Sequence, residues 1–181
     1  MIEKDIRLVL KAKSGNKRAL TKLLKLYYES IYLLAYSYVK NEEDALDVIQ
    51  EATFKAVSRI DQLKEAEYFS TWLNRIVINE SYRLLTKKQK EQRYSGDLEE
   101  LDVIQDTALN PANRAESKVL LQYIHELDDK YEEVLLLFYF NELSIQEISK
   151  LLYTNENTVK TRLSRGREAL KIKLELVGFN Y

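Results

Sequence analysis

Apolar residues recur at helical spacing along most of the chain. Leu20, Leu23, Leu24, Tyr27, Ile31, Leu34, Ala35 and Tyr38 form one stripe over five turns, with Asn41 as its expected stop. Ala45, Val48, Ile49, Ala52 and Ala56 mark a second helix. Phe69, Trp72, Leu73, Ile76 and Val77 mark a third, with Ser70 as a cap near its start. A shorter helix is expected over residues 2–13. Each of the three stripes leaves a polar face opposite, so the helices are expected to pack together as a bundle. The pattern breaks over residues 94–113, an acidic stretch with no sustained period that holds the single proline, Pro111. A structureless loop of about 20 residues is uncommon inside a compact domain, so this stretch reads as a linker.

From residue 115 the helical pattern resumes. Leu120, Ile124 and Leu127 form a stripe, and Val134 to Phe140 is a continuous apolar run suited to a buried helix. Ser144 and Glu147 then have the spacing of a capping box, opening a helix from about 145 to 152 with Ile145, Ile148, Leu151 and Leu152 inward. Thr154 or Asn155 can cap a following helix that buries Val159, Leu163, Gly166, Leu170 and Leu174. Two helices joined by a few polar residues match a helix-turn-helix. The expected fold is all-α: two small helical domains, 1–93 and 114–181, joined by the acidic linker 94–113.

Composition narrows the chemistry. Four glycines and one proline in 181 residues disfavour a loop-rich β protein. The absence of cysteine excludes disulfides and thiolate chemistry, and the single histidine, His125, makes a histidine-based metal site or triad a poor expectation. Neither a catalytic residue nor a cofactor is expected. No apolar run reaches the roughly 18 residues of a membrane span, and the first residues lack a secretory signal, so the expected compartment is the cytoplasm.

Charge changes the picture more. The net charge of −1 divides into +4 over residues 1–92, −3 over 93–115 and −2 over 116–181. A near-neutral total argues against a protein that coats nucleic acid, but not against one with local basic faces. Residues 156–173 carry six Lys and Arg against two acids, whereas 126–147 carry seven acids against one lysine. The face opposite the Val159 stripe presents Asn157, Thr161, Ser164 and Arg165, with Lys160 and Arg167 at its flanks and Asn155, Thr158 and Arg162 nearby. Short polar side chains near a helix start with arginines behind them suit base edges and phosphates in a major groove. On the third helix, Arg75, Asn79, Tyr82 and Thr86 lie on one face, followed by Arg83, Lys87, Lys88, Lys90 and Arg93. An amide, an aromatic ring and a basic tail suit an exposed nucleic-acid strand. The acids Glu42, Glu43, Asp44, Asp47 and Glu51, with Gln50, suit a basic protein partner. With no histidine nearby and no glycine-bearing calcium loop, they are not expected to hold a metal.

These residues carry a resemblance. The chain resembles bacterial RNA polymerase sigma factors of the extracytoplasmic-function (ECF) group of the sigma-70 family, over nearly its whole length. DALDVIQEATFKAV is similar to region 2.2, with Asp44, Ala45, Asp47, Gln50, Glu51 and Phe54 matching. The resemblance implies that this segment binds the polymerase clamp helices. FSTWLNRIVINESYRLL resembles regions 2.3 and 2.4, which melt and read the −10 element, through Phe69, Trp72, Leu73, Arg75, Ile76 and Asn79. SIQEISKLLYTNENTVKTRLSRGREAL resembles region 4.2, which reads the −35 element. There Ser144, Glu147, Ile148, Thr158, Val159, Lys160, Arg162, Leu163, Arg165, Arg167 and the pair Ala169 and Leu170 match.

The chain departs from the family pattern at four places. Arg83 stands where an acid is usual, and Leu127-Asp128 replaces a frequent Leu-Pro. Tyr153 and Asn157 stand at two usual turn glycines. The implied partners are core RNA polymerase and promoter DNA, and family members are often held by a membrane-bound anti-sigma factor, for which no residue here gives a sign. The linker is expected to mimic nucleic acid in the basic polymerase channel. A dimeric helix-turn-helix regulator would use residues 116–181 for DNA and 1–92 for dimerisation, but leaves the Asn79 and acidic faces unexplained. A metal-dependent nuclease built on Glu42–Glu51 lacks a general base with a supporting shell.

Overall fold

The computed structural model describes residues 3–95 and 115–176, with side chains for 5–91 and 120–176. All its regular elements are helical, and they form two compact units.

In the first unit α1 spans Glu3–Lys13, α2 Lys17–Val39, α3 Glu42–Arg59 and α4 Phe69–Ser95. Gly15, at φ +89°, makes the turn after α1, and the Asn16 side chain caps α2 by accepting from the Ala19 N–H at 3.0 Å. α2 ends at Lys40, which adopts φ +53° and donates its N–H to the Tyr36 carbonyl at 2.8 Å. Asn41 is therefore not the stop of α2 but the cap of α3, where its side chain accepts from the Asp44 N–H at 3.0 Å. Glu42, Glu43 and Asp44 then sit in the first turn of α3, where the helix dipole favours negative charge. α2 is the central helix, touched by α1, α3 and α4 and buried continuously from Ile31 to Ser37. α3 meets its neighbours through Ala45, Ala52 and Ala56, all fully buried, and small side chains allow close helix approach.

α4 buries Phe69, Leu73 and Val77. Ser70 does not cap it. The helix grows from a 3₁₀ turn, Ala66–Tyr68, and Ser70 is buried inside its first turn. Trp72 is half-buried, tilted against Phe69 at 5.8 Å between ring centres. The acidic stretch 94–113 lies outside the described residues except for its first two, which complete α4.

In the second unit α5 spans Ala115–His125, α6 Asp129–Leu135, α7 Ile145–Leu151 and α8 Glu156–Leu176. α6 continues into a turn of π-helix, Leu136–Phe140, closed by Asn141 N–H on the Leu136 carbonyl at 3.0 Å. The apolar run buries Val134 to Leu137 completely, while Tyr139 turns out to solvent. The fully buried Glu132 is met by His125 Nδ1 at 2.6 Å, joining α5 to α6. The capping box is present: Ser144 Oγ accepts from the Glu147 N–H, and the Glu147 carboxylate accepts from the Ser144 N–H at 2.9 Å. Val159, Leu163, Gly166 and Leu174 of α8 are buried as the stripe requires, and Leu170 is half-buried.

Candidate functional site

α7 and α8 are joined by a turn in which Tyr153 takes φ +50°. The left-handed position that a glycine would fill is thus held by a tyrosine whose side chain is 88% exposed. Asn157, expected at the turn, lies instead inside α8, in its first turn. Asn155 supplies the cap: its side-chain oxygen accepts from the Thr158 N–H at 2.7 Å and from the Thr158 hydroxyl at 3.0 Å. These two side chains therefore hold the helix start. Beyond them Asn157, Lys160, Thr161, Ser164, Arg165 and Arg167 are exposed, and Arg162 is half-buried. The Thr161 hydroxyl donates back to the Asn157 carbonyl at 2.8 Å, and Lys160 lies 4.0 Å from Glu156. Arg167 folds along its own helix, with Nε donating to the Leu163 carbonyl at 3.2 Å. Arg165 belongs to a groove that α8 forms with Lys130 and Tyr131 of α6, two residues the sequence did not single out.

On α4 the phase is as expected: Arg75, Asn79 and Tyr82 are exposed along one side. Tyr82 is anchored by an edge-on contact with Tyr38 of α2, at 5.3 Å between ring centres. The Thr86 hydroxyl is returned to the Tyr82 carbonyl at 2.8 Å. Lys87 is exposed, 3.8 Å from Glu91. Lys88 reaches back across the bundle to Asp44 at 2.6 Å.

That pairing separates Asp44 from the other acids of α3. Asp44 is only 9% exposed and ties the start of α3 to the far part of α4. Asp47, Gln50, Glu51 and Phe54 are exposed. Sequence reasoning missed two neighbours on this surface, Leu46 and Val57, each about half exposed. Leu46, Gln50, Phe54 and Val57 recur at i, i+4, i+8 and i+11, so one helix face is exposed and largely apolar while the opposite face carries the alanine stripe. The missed signal was an apolar pattern out of phase with the core stripe. Glu51 lies 3.7 Å from Arg83, which also donates Nε to Glu80 at 2.7 Å. Glu80 is buried and takes a second ion pair from Lys55. Burial acts to raise the Glu80 pKa, but the hydrogen bonds and charges of Lys55 and Arg83 outweigh it and hold the carboxyl below its ordinary value. Among the described residues, no group of three or more His, Cys, Asp or Glu comes together to hold a metal ion, and no helix is long and apolar enough to cross a membrane.

Comparison with known proteins bears on what these faces meet. Residues 23–91 match the family described as Sigma-70 region 2, and residues 117–170 match Sigma-70, region 4. The chain is 34% identical over 184 residues to the ECF RNA polymerase sigma factor SigW of Bacillus subtilis (strain 168), covering 96% of this chain and 97% of the relative. It is 31% identical over 165 residues to RNA polymerase sigma factor SigV of the same strain, covering 91% and 96%. In fold it is similar to the sigma factor RpoE solved in complex with the anti-sigma factor NepR from Bartonella quintana. There the TM-score is 0.68 at 22% identity, over 89% of this chain and 98% of the other. Both sigma-70 regions, in family order, together with relatives matched nearly end to end, establish that the chain belongs to the ECF group of the sigma-70 family and is an RNA polymerase sigma factor, binding core polymerase and directing promoter-specific initiation.

Proposed function

We propose that three separate helix faces divide this work. The exposed side of α3, with Asp47, Gln50, Glu51 and Phe54 joined by Leu46 and Val57, docks on the polymerase clamp helices. The Arg75, Asn79 and Tyr82 side of α4, extended by Lys87, holds the opened −10 strand. The exposed side of α8, centred on Asn157, Thr161, Ser164 and Arg165, enters the −35 major groove. In this reading Asp44 and Lys88 serve the fold that presents the faces rather than contacting a partner. Asn155 and Thr158 likewise set the start of the reading helix. The chain acts by binding, in the cytoplasm with the polymerase that supplies the chemistry. An anti-sigma protein, of the kind bound to the solved RpoE, is a further partner.

The observation that carries the reading is the exposure of Phe54, 71% open on a helix whose other side is buried. Folding gives no reason to align it with Leu46 and Val57 at the surface, and such a patch with a polar rim marks a protein contact. Asp47→Lys is expected to weaken binding to core polymerase while changing stability by less than about 0.5 kcal/mol, since Asp47 is exposed. Titration of core polymerase with the labelled variant, beside a thermal melt, checks both. Wild-type affinity in the variant would remove the α3 assignment.

A further inference from the structure

The second unit has a groove of about 390 Å³ lined by residues of α6 and the first half of α8. It exists because α8 carries Gly166 where it crosses α6. A Cβ there would lie 3.2 Å from Leu135 Cδ1 and 3.3 Å from Tyr131 Cβ, so a side chain would force the helices apart. The close crossing brings Lys130 and Tyr131 beside Arg162 and Arg165. Three of the seven residues lining the groove are cations and none is acidic. Segment 126–147 carries seven acids and a single lysine, and that lysine is Lys130, the residue placed here. Its ammonium lies 4.8 Å from the centre of the Tyr131 ring and 3.0 Å from Asp128. The hydrogen bond to Asp128 is the main influence raising the Lys130 pKa, while the charge of Arg165 pulls it down. Like charges are thus gathered around an open groove with one carboxylate outside it as counterion.

We infer that this groove seats the phosphate backbone of the promoter duplex, with Lys130 and Arg162 as its cations, so that α6 and α8 together form the DNA surface. The inference rests on the assignment of α8 to DNA made above. Lys130 exchanges Asp128 for a phosphate, and Tyr131 keeps its stem in place. Arg165, on the side of the groove toward the exposed face of α8, remains directed at bases. A backbone contact of this kind sets register without reading sequence.

The test is equilibrium binding of holoenzyme, reconstituted from core polymerase and the full chain, to a duplex promoter fragment over a range of salt concentrations. Lys130→Ala should reduce the slope of log affinity against log salt by about one unit and weaken binding several-fold, leaving the ranking of promoters unchanged. Asp128→Asn, which releases the lysine, should strengthen binding. A wild-type slope and affinity for Lys130→Ala would overturn the inference. So would a loss that appears equally in binding to core polymerase without DNA, which would make the groove a protein contact. Arg165→Ala in the same assay separates the two levels. If it alters DNA binding while Lys130→Ala does not, the α8 assignment stands and the groove proposal fails. If neither variant changes anything, the α8 assignment fails and takes the groove with it.

Discussion

Tyr153 shows at the residue scale what one side chain can conceal. A non-glycine residue in the left-handed region costs about 1–2 kcal/mol, and the exposed Tyr153 ring gains little burial to offset it. Glycine at this position would lose more backbone entropy on folding, by about 0.5–1 kcal/mol. Tyr153→Gly is therefore expected to stabilise the protein by about 0.5–1 kcal/mol, read as an upward shift of the denaturation midpoint with unchanged slope. A lower midpoint would mean that the ring makes contacts the exposure does not reveal. The family pattern marked Tyr153 and Asn157 as a pair of unusual turn residues, yet only Tyr153 bears positive φ. Lys40 and Glu142, also at φ +53°, gave no signal, because lysine and glutamate do not advertise a left-handed turn. Caps were easier to read. The Ser144 and Glu147 box was legible because its spacing is its mechanism, whereas Asn41 was assigned to the wrong helix because one residue separates the end of α2 from the cap of α3.

Elements were legible where a long apolar stripe fixed the helix phase, and the exposed faces of α3, α4 and α8 follow from that phase alone. What the sequence hid was pairing between elements. Lys88 with Asp44, and Lys55 and Arg83 with Glu80, clasp α3 to α4 through residues 25 to 44 positions apart, and no local pattern reports such contacts. The Arg83 departure has its physical sense here, as a partner for the buried Glu80 and the exposed Glu51. Because the Glu80 pKa is lowered in the folded state from 4.5, its stabilising contribution is complete above the ordinary glutamate range and is lost as pH falls through the folded-state value below it. Glu80→Gln should cost on the order of 1–2 kcal/mol at neutral pH. It should also flatten the acid limb of stability measured by melts across that window. An acid limb identical to wild type would show that the clasp contributes nothing.

For α8 the placements of its arginines separate two roles. Arg165 opens to the groove, while Arg167 is drawn back onto the Leu163 carbonyl. Arg165→Ala is expected to change preference at one −35 position by about 1–3 kcal/mol, and Arg167→Ala to weaken all promoters evenly. A promoter-library selection on both variants reads this directly. Even losses in both would move base readout toward the turn.

On the scale of the whole molecule, the division into two helical units was legible from one break in periodicity, and the family from three segments in order. The distribution of charge suits the work. A free chain with net charge −1 has no general affinity for DNA. Its basic faces become effective when polymerase holds both units near the promoter, because the second contact then forms at high effective concentration. Specificity accordingly belongs to the assembly with polymerase and not to the free chain. The most direct measurement is run-off transcription by core polymerase on a library of promoter fragments, with the wild-type chain and with Asn79→Ala. Wild type should initiate from a subset of templates sharing two separated elements. Asn79→Ala should keep preference at the upstream element and lose discrimination at the downstream one, with polymerase binding retained. Equal output and identical preferences from the two proteins would contradict the division of promoter reading between α4 and α8.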